Sequence, residues 1–280
     1  MVINILKNLY LSETKSGHLI RIVPTTKAKP MFRLLIMLTA LLSMGNFTPA
    51  SNFKTAQLAY ERVKTAYQEK ETATRKLFSD KNLKINASQI FIRVFKQEKH
   101  LELWARAKGA NSTFQLLKTY PICSASGNLG PKRKLGDYQV PEGFYTISRW
   151  NPQSNFYLSL GINYPNASDK ILSDQKQPGN DIFIHGNCVS IGCLAMTDPL
   201  IKEIYVAFVE ARNAGQTQVA VHIFPSRLAG PAWDHLRAGY REDESMINFW
   251  KNLKTGYEWF ETRKTLPRVS VNAQGKYLFK

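Results

Sequence analysis

The chain has 280 residues, 44% of them apolar and 11% aromatic, which supports a large core and excludes a disordered polymer. Its 38 Lys and Arg against 21 Asp and Glu leave a formal charge of +17, a surplus that turns the surface toward anionic polymers and lipid head groups.

The N-terminal region reads as an address. Lys27, Lys29 and Arg33 precede the apolar run LLIMLTALLSMG (34–45), and Thr48-Pro49-Ala50 offers the small residues that a signal peptidase reads. Residues 1–50 are therefore expected to be an N-terminal extension and signal peptide, or an uncleaved anchor, with Met1 and Met31 both available as starts. Without them the chain carries 32 Lys and Arg against 20 Asp and Glu, a formal +12. Export places the protein in the periplasm or cell envelope, which argues against a nucleic-acid partner and limits membrane contact to the signal or anchor.

Residues 51–84 form an N-terminal helical segment, with Tyr60, Val63 and Tyr67 on a helix that lies against the main body. The period then becomes that of strands. IFIRVF (90–95), LELWAR (101–106) and TFQLLKTYPIC (113–123) are rich in β-branched and aromatic residues and have short polar connections. A basic loop punctuated by Gly, Pro and Asp leads to a strand over 144–148, and FYLSLGINYP (156–165) is another, with NASDK as the loop after it. DIFIHG (181–186) is a short buried strand. Asp198-Pro199 opens a helix through Asn213 with Ile201, Ile204, Tyr205 and Phe208 on one face, and Gly215 lies just beyond it. QVAVHIFP (218–225) is a further strand. From about 243 to 263, Met246, Phe249, Trp250, Leu253, Tyr257 and Phe260 form a helical apolar stripe. Strands in succession with helices at both ends predict an α+β protein with a mainly antiparallel sheet. The expected divisions are 85–225 for the central domain and 226–280 for a C-terminal helical extension.

IFIHGNCVSIGCLAM (182–196) places one histidine and two cysteines within nine positions. A zinc site would read H-x2-C-x4-C, which lacks the C-x2-C spacing of structural zinc and has no evident fourth ligand. With three cysteines at least one is left outside any intramolecular disulfide. Cys188 can pair with Cys193 or with Cys123, and only the second choice frees Cys193. A cysteine nucleophile suits the stretch better, because His185 at the end of a buried strand is a rigid place from which to supply a base. Gly192 lets the amides of Ile191, Gly192 and Cys193 turn toward one spot as an oxyanion site. Gly186 allows a backbone carbonyl to reach the other imidazole nitrogen.

HGNCVSIGC resembles the H-G-x(n)-S-x-G-C signature of the L,D-transpeptidases with a YkuD-type catalytic domain, in particular their YafK-like branch. GPKRKLGDYQVPEGFY (130–145) and FYLSLGINYPNASD (156–169) are similar to two further segments of that family. The resemblance implies a β-sandwich-like catalytic domain over 85–225, acting without a cofactor on peptidoglycan stem peptides. It implies Cys193 as nucleophile, His185 as base and Gly186 as the orienting carbonyl. Ser190 matches the motif serine. Ile191 stands where many relatives have a second histidine and Ala195 where an arginine is common, so Lys132, Arg133, Arg149 and Tyr164 become the candidates for binding the substrate carboxylate. The implied products are cross-links made by transpeptidation or, by hydrolysis at the same site, carboxypeptidase or amidase products, the latter releasing a wall-linked lipoprotein. A non-catalytic wall-binding module is the alternative of another class.

Overall fold

Side chains alternate across a strand, and strand β1 (Ser88–Phe95) shows the consequence. Ile90, Ile92 and Val94 enter one hydrophobic cluster, whereas Phe91 and Phe95 enter two others. The sheet thus has a core on each face. The computed structural model describes residues 52–109 and 111–280; the leader or anchor expected over 1–50 lies outside them.

The other sheet strands are β2 (His100–Ala107), β3 (Gln115–Pro121), β4 (Gly143–Ser154), β5 (Tyr157–Ile162), β6 (Phe183–His185), β7 (Leu194–Ala195) and β8 (Ala220–Phe224), in the spatial order β3-β2-β1-β8-β4-β5-β6-β7. All neighbours are antiparallel except β1 with β8 and β6 with β7. The chain is therefore α+β and mainly antiparallel, as its pattern predicts, with helices on both sides of one sheet.

On the face of Ile90 and Ile92 lie α1 (Phe53–Leu58), α2 (Glu61–Ser79) and α4 (Asp198–Asn213), with α3 (Ala167–Leu172) elsewhere between β5 and β6 in the chain. The single N-terminal helix expected from composition is broken, because Tyr60 is extended and caps α2. Helix α4 buries Val206, Ala207 and Val209 as well as the expected stripe. Its two buried acids are satisfied: Glu210 accepts from Lys54 Nζ at 2.6 Å and Glu203 from Tyr120 Oη at 2.6 Å.

The opposite face carries α5 (Gly230–Gly239) and α6 (Glu244–Arg263), whose Trp250, Leu253 and Tyr257 cover Phe95, Phe144 and Phe224. One helix escaped the sequence pattern, and another was expected only as part of the 226–280 helical extension. The segment expected as a loop after Pro165 is α3, capped reciprocally by Asn166 and Asp169, and α5 is entered by Pro231. A final hairpin, β9 (Val269–Val271) and β10 (Tyr277–Phe279), closes the chain. No helix among the described residues is long and apolar enough to cross a membrane.

Candidate active site

His185 ends β6, paired with Ser159 of β5 on one side and Ala195 of β7 on the other. Its Nδ1 is 2.6 Å from the carbonyl oxygen of Gly186. A carbonyl only accepts, so Nδ1 carries the proton and Nε2 keeps its lone pair. The Phe156 ring covers the imidazole at 4.6 Å between centroids. Burial lowers the imidazole's pKa and the Gly186 carbonyl works against that shift. Gly186 has no room for a side chain: a Cβ there would lie 2.5 Å from Asp198 Oδ1 and 3.1 Å from the Phe156 carbonyl. The same Asp198 oxygen accepts the Asn187 N–H at 2.8 Å, tying the loop to the start of α4.

The loop then passes through two left-handed residues, Asn187 at φ 64° and Cys188 at φ 41°. Cys188 is bonded to Cys123, with 5.3 Å between their Cα atoms, and Cys193 is free. The first of the two pairings open in the sequence is therefore not formed. Cys188 is also withdrawn from any H-x2-C-x4-C metal set, and no group of three potential ligands exists among the described residues. Ser190 Oγ donates to the Cys193 carbonyl at 2.7 Å and accepts the Gly192 N–H at 3.2 Å.

His185 and Cys193 line one cavity of about 540 Å³. Burial pushes the Cys193 thiol up, a hydrogen bond from the Phe183 backbone and the charge of Lys132 pull it down, and Asp181 pushes it up again. The mouth is apolar: Leu135, Tyr138, Phe156, Val189 and Ile191, the last 77% exposed, both line the cavity and count among the large apolar side chains open to solvent in the described residues.

Residues 89–220 match the family model of the YkuD L,D-transpeptidase catalytic domain. Over 193 residues, 68% of this chain and 74% of the relative, it is 38% identical to the Escherichia coli protein named "Putative L,D-transpeptidase YafK", in two strains. The chain belongs to the YkuD-type L,D-transpeptidase family. Among solved structures, this family member is similar to the helical cell shape determining protein Pgp2 of Campylobacter jejuni, at 16% identity and TM-score 0.40 over 66% of this chain and 73% of that one. It is also similar to Bd1075 of Bdellovibrio bacteriovorus, at 18% identity and TM-score 0.36 over 66% and 77%.

Within this chain the residues expected to act together divide into two sets. His185, Ser190, Ile191, Gly192, Cys193 and Lys132 all border the cavity. The rest of the expected substrate-binding set is engaged elsewhere. The Tyr164 hydroxyl is buried and donates to the Pro178 carbonyl at 2.7 Å, which makes it a strut beneath the loop. Arg149 stands beside the cavity, 2.8 Å from Asp181 Oδ2 and over the Phe183 ring. Arg133 pairs with the buried Asp169 at 3.2 Å. The Lys132 ammonium is bonded to Asp137 Oδ1 at 2.5 Å, so it lends the cavity field rather than a free hand. Ser190 serves the loop's own backbone, and of the three anticipated oxyanion donors the Gly192 N–H is turned to that serine. Asp181 and Phe156 had no signal in the sequence, since each acts through a neighbour in space: Asp181 on Arg149, Phe156 on the imidazole.

Proposed function

We propose that this protein is an exported, cysteine-dependent L,D-transpeptidase acting on peptidoglycan stem peptides. The Cys193 thiol gives its proton to Nε2 of His185 as sulfur attacks the carbonyl on the L-centre of the diaminopimelate at stem position three. The Cys193 and Ile191 amides take up the developing oxyanion. His185 then protonates the departing amine, leaving a thioester on Cys193. An amine from a second stem resolves the thioester in transpeptidation. The observation that carries this reading is a free thiol sharing a cavity with an imidazole whose tautomer leaves Nε2 as the base.

One observation favours a second reading of the same chemistry. Stem peptides are polar, yet the mouth is ringed by Leu135, Tyr138, Val189 and Ile191. An apolar rim suits a polypeptide, so a wall-linked lipoprotein fits as the group joined through an amine, or released when water takes the thioester. Mass spectrometry of products from defined stem peptides, with and without an amine acceptor, separates the two: a new amide marks transfer, and the free acid alone marks hydrolysis. Equal product from wild type and Cys193→Ala would leave only a wall-binding role.

A further inference from the structure

We infer that Glu142 is a positioning residue for the catalytic cavity, carrying the placement of the C-terminal helix α6 into the 130–140 wall of the site. Gly130 and Glu142 bound the basic loop that supplies Lys132, Leu135, Gly136 and Tyr138 to the cavity. The two ends of that loop are stapled by charges with almost no solvent access. Lys96 Nζ donates to the Gly130 carbonyl at 2.7 Å and the Val140 carbonyl at 2.9 Å, and it lies 3.0 Å from Glu142 Oε1. That carboxylate oxygen also accepts the Gly130 N–H at 2.7 Å. The other, Oε2, accepts Trp250 Nε1–H at 2.7 Å from α6. Glu142 and Trp250 are completely buried, so every one of these bonds is made out of water, where an unmatched partner is most costly.

Helix α6 touches the loop at two more points. The Met246 methyl occupies the space a Cβ on Gly130 would need, 3.0 Å away, and the Arg133 guanidinium lies 5.2 Å from the Phe249 ring centre. At its far end the loop reaches the nucleophile's own segment, since the Gln139 carbonyl is the atom nearest to a Cβ built on Gly192, at 3.3 Å. A continuous path runs from Trp250 through Glu142 and the loop to the residue before Cys193. Trp250 lies beyond residues 89–220, the span of the family's catalytic model. A wall of the cavity in this chain is therefore braced by a helix outside that span.

The test uses the full chain and three variants. Trp250→Phe removes the N–H together with the five-membered ring of the indole, the same truncation as in the Trp259→Phe control. Glu142→Gln removes the charge. Trp259→Phe, on the same helix, removes an indole N–H that has no partner and serves as control. Amide hydrogen exchange of folded protein reads the wall without reference to any substrate. Exchange over 130–140 and 189–193 should quicken at least fivefold in Trp250→Phe and further in Glu142→Gln, with β1 and β2 unchanged and the control like wild type. Quickening confined to α6, or equal in the control, overturns the inference. A turnover arm rests on the functional reading above: with stem peptides, Trp250→Phe should raise KM several-fold while kcat and the rate of Cys193 alkylation hold. A lower Tm with KM unchanged also overturns it, because packing alone would give that result. Absence of turnover in wild type sinks the functional reading instead, and the exchange result then decides the positioning role by itself.

Discussion

Cys193 and His185 are buried in ways that disfavour both of their charged forms. Burial holds the thiol above its ordinary value of 9.0 and the imidazole below 6.5, in each case against a weaker opposing contact. On the proposed mechanism the free protein at neutral pH thus holds a neutral thiol and a neutral imidazole in one cavity, and the proton moves only as sulfur attacks. Alkylation of Cys193 by iodoacetamide should follow one ionisation above pH 9, with no reactive plateau between pH 5 and 8. His185→Ala should leave that profile in place while lowering turnover by about 10²–10⁴-fold, the usual worth of a general base. A plateau at neutral pH that vanishes in His185→Ala would reveal a resting thiolate–imidazolium pair and refute this account. That these two residues meet at one cavity was legible in the sequence because a histidine closing a buried strand and a cysteine after glycine are local patterns. Tyr164 was misplaced because its hydroxyl is claimed by a carbonyl fourteen residues away, which no local pattern encodes.

At the scale of elements, the loop between β6 and β7 is held by more than its glycines. The Cys123–Cys188 bond spans 65 residues and fastens the loop beside Ala195, whose carbonyl accepts the Cys123 N–H at 2.9 Å. Two successive left-handed residues without glycine are an unfavourable local conformation, so tertiary restraint must hold them. Closing a loop of that length removes unfolded-state entropy worth about 4 kcal/mol in the chain-entropy account. The Cys123→Ser/Cys188→Ser protein should lose stability of that order in urea unfolding, and its turnover should fall with Cys193 still present. An unchanged midpoint would show that hydrogen bonds alone suffice. The odd cysteine count announced a free thiol, and the two possible pairings could be written down. Choosing between them required the fold, because the segment after β3 meets β7 through Cys123 and Ser124 against Ala195, a pairing between positions far apart in the chain. Long periodic elements such as α4 and β1 were likewise legible, whereas α3 and β7 were not, being too short to show a period.

For the whole molecule, two buried groups set opposing responses to pH. Burial raises Asp169 to about 6, despite the Asn166 amide, the Tyr145 hydroxyl and Arg133. The folded state therefore binds that proton more tightly than the unfolded chain does. Its contribution to stability is present below about pH 4 and is lost as pH rises through 6. His222, packed against Phe91, Phe144 and Phe224 with Nδ1 unpartnered, is lowered to about 3 by burial and then by Arg93. It contributes above its unfolded value of about 6.5 and loses that contribution as pH falls. Burial also opposes ionisation of Asp137 and Glu261, but hydrogen bonds from Lys132 and backbone amides, and from Lys264 and Arg93, outweigh it and hold both below the ordinary range. Those two act only below about pH 4.5, and His185, which burial also lowers, is removed by working in a His185→Ala background, so that the interval from 5 to 6 isolates the opposed pair. Each group there imposes up to about 1.4 kcal/mol per pH unit, with opposite sign, and the stability of the His185→Ala protein should be nearly flat. Asp169→Asn should leave the histidine's rising slope exposed, and His222→Leu should leave the aspartate's falling one. Urea unfolding at pH 5 and 6 measures both slopes. If both variants stay as flat as the His185→Ala parent, neither group titrates differently on folding.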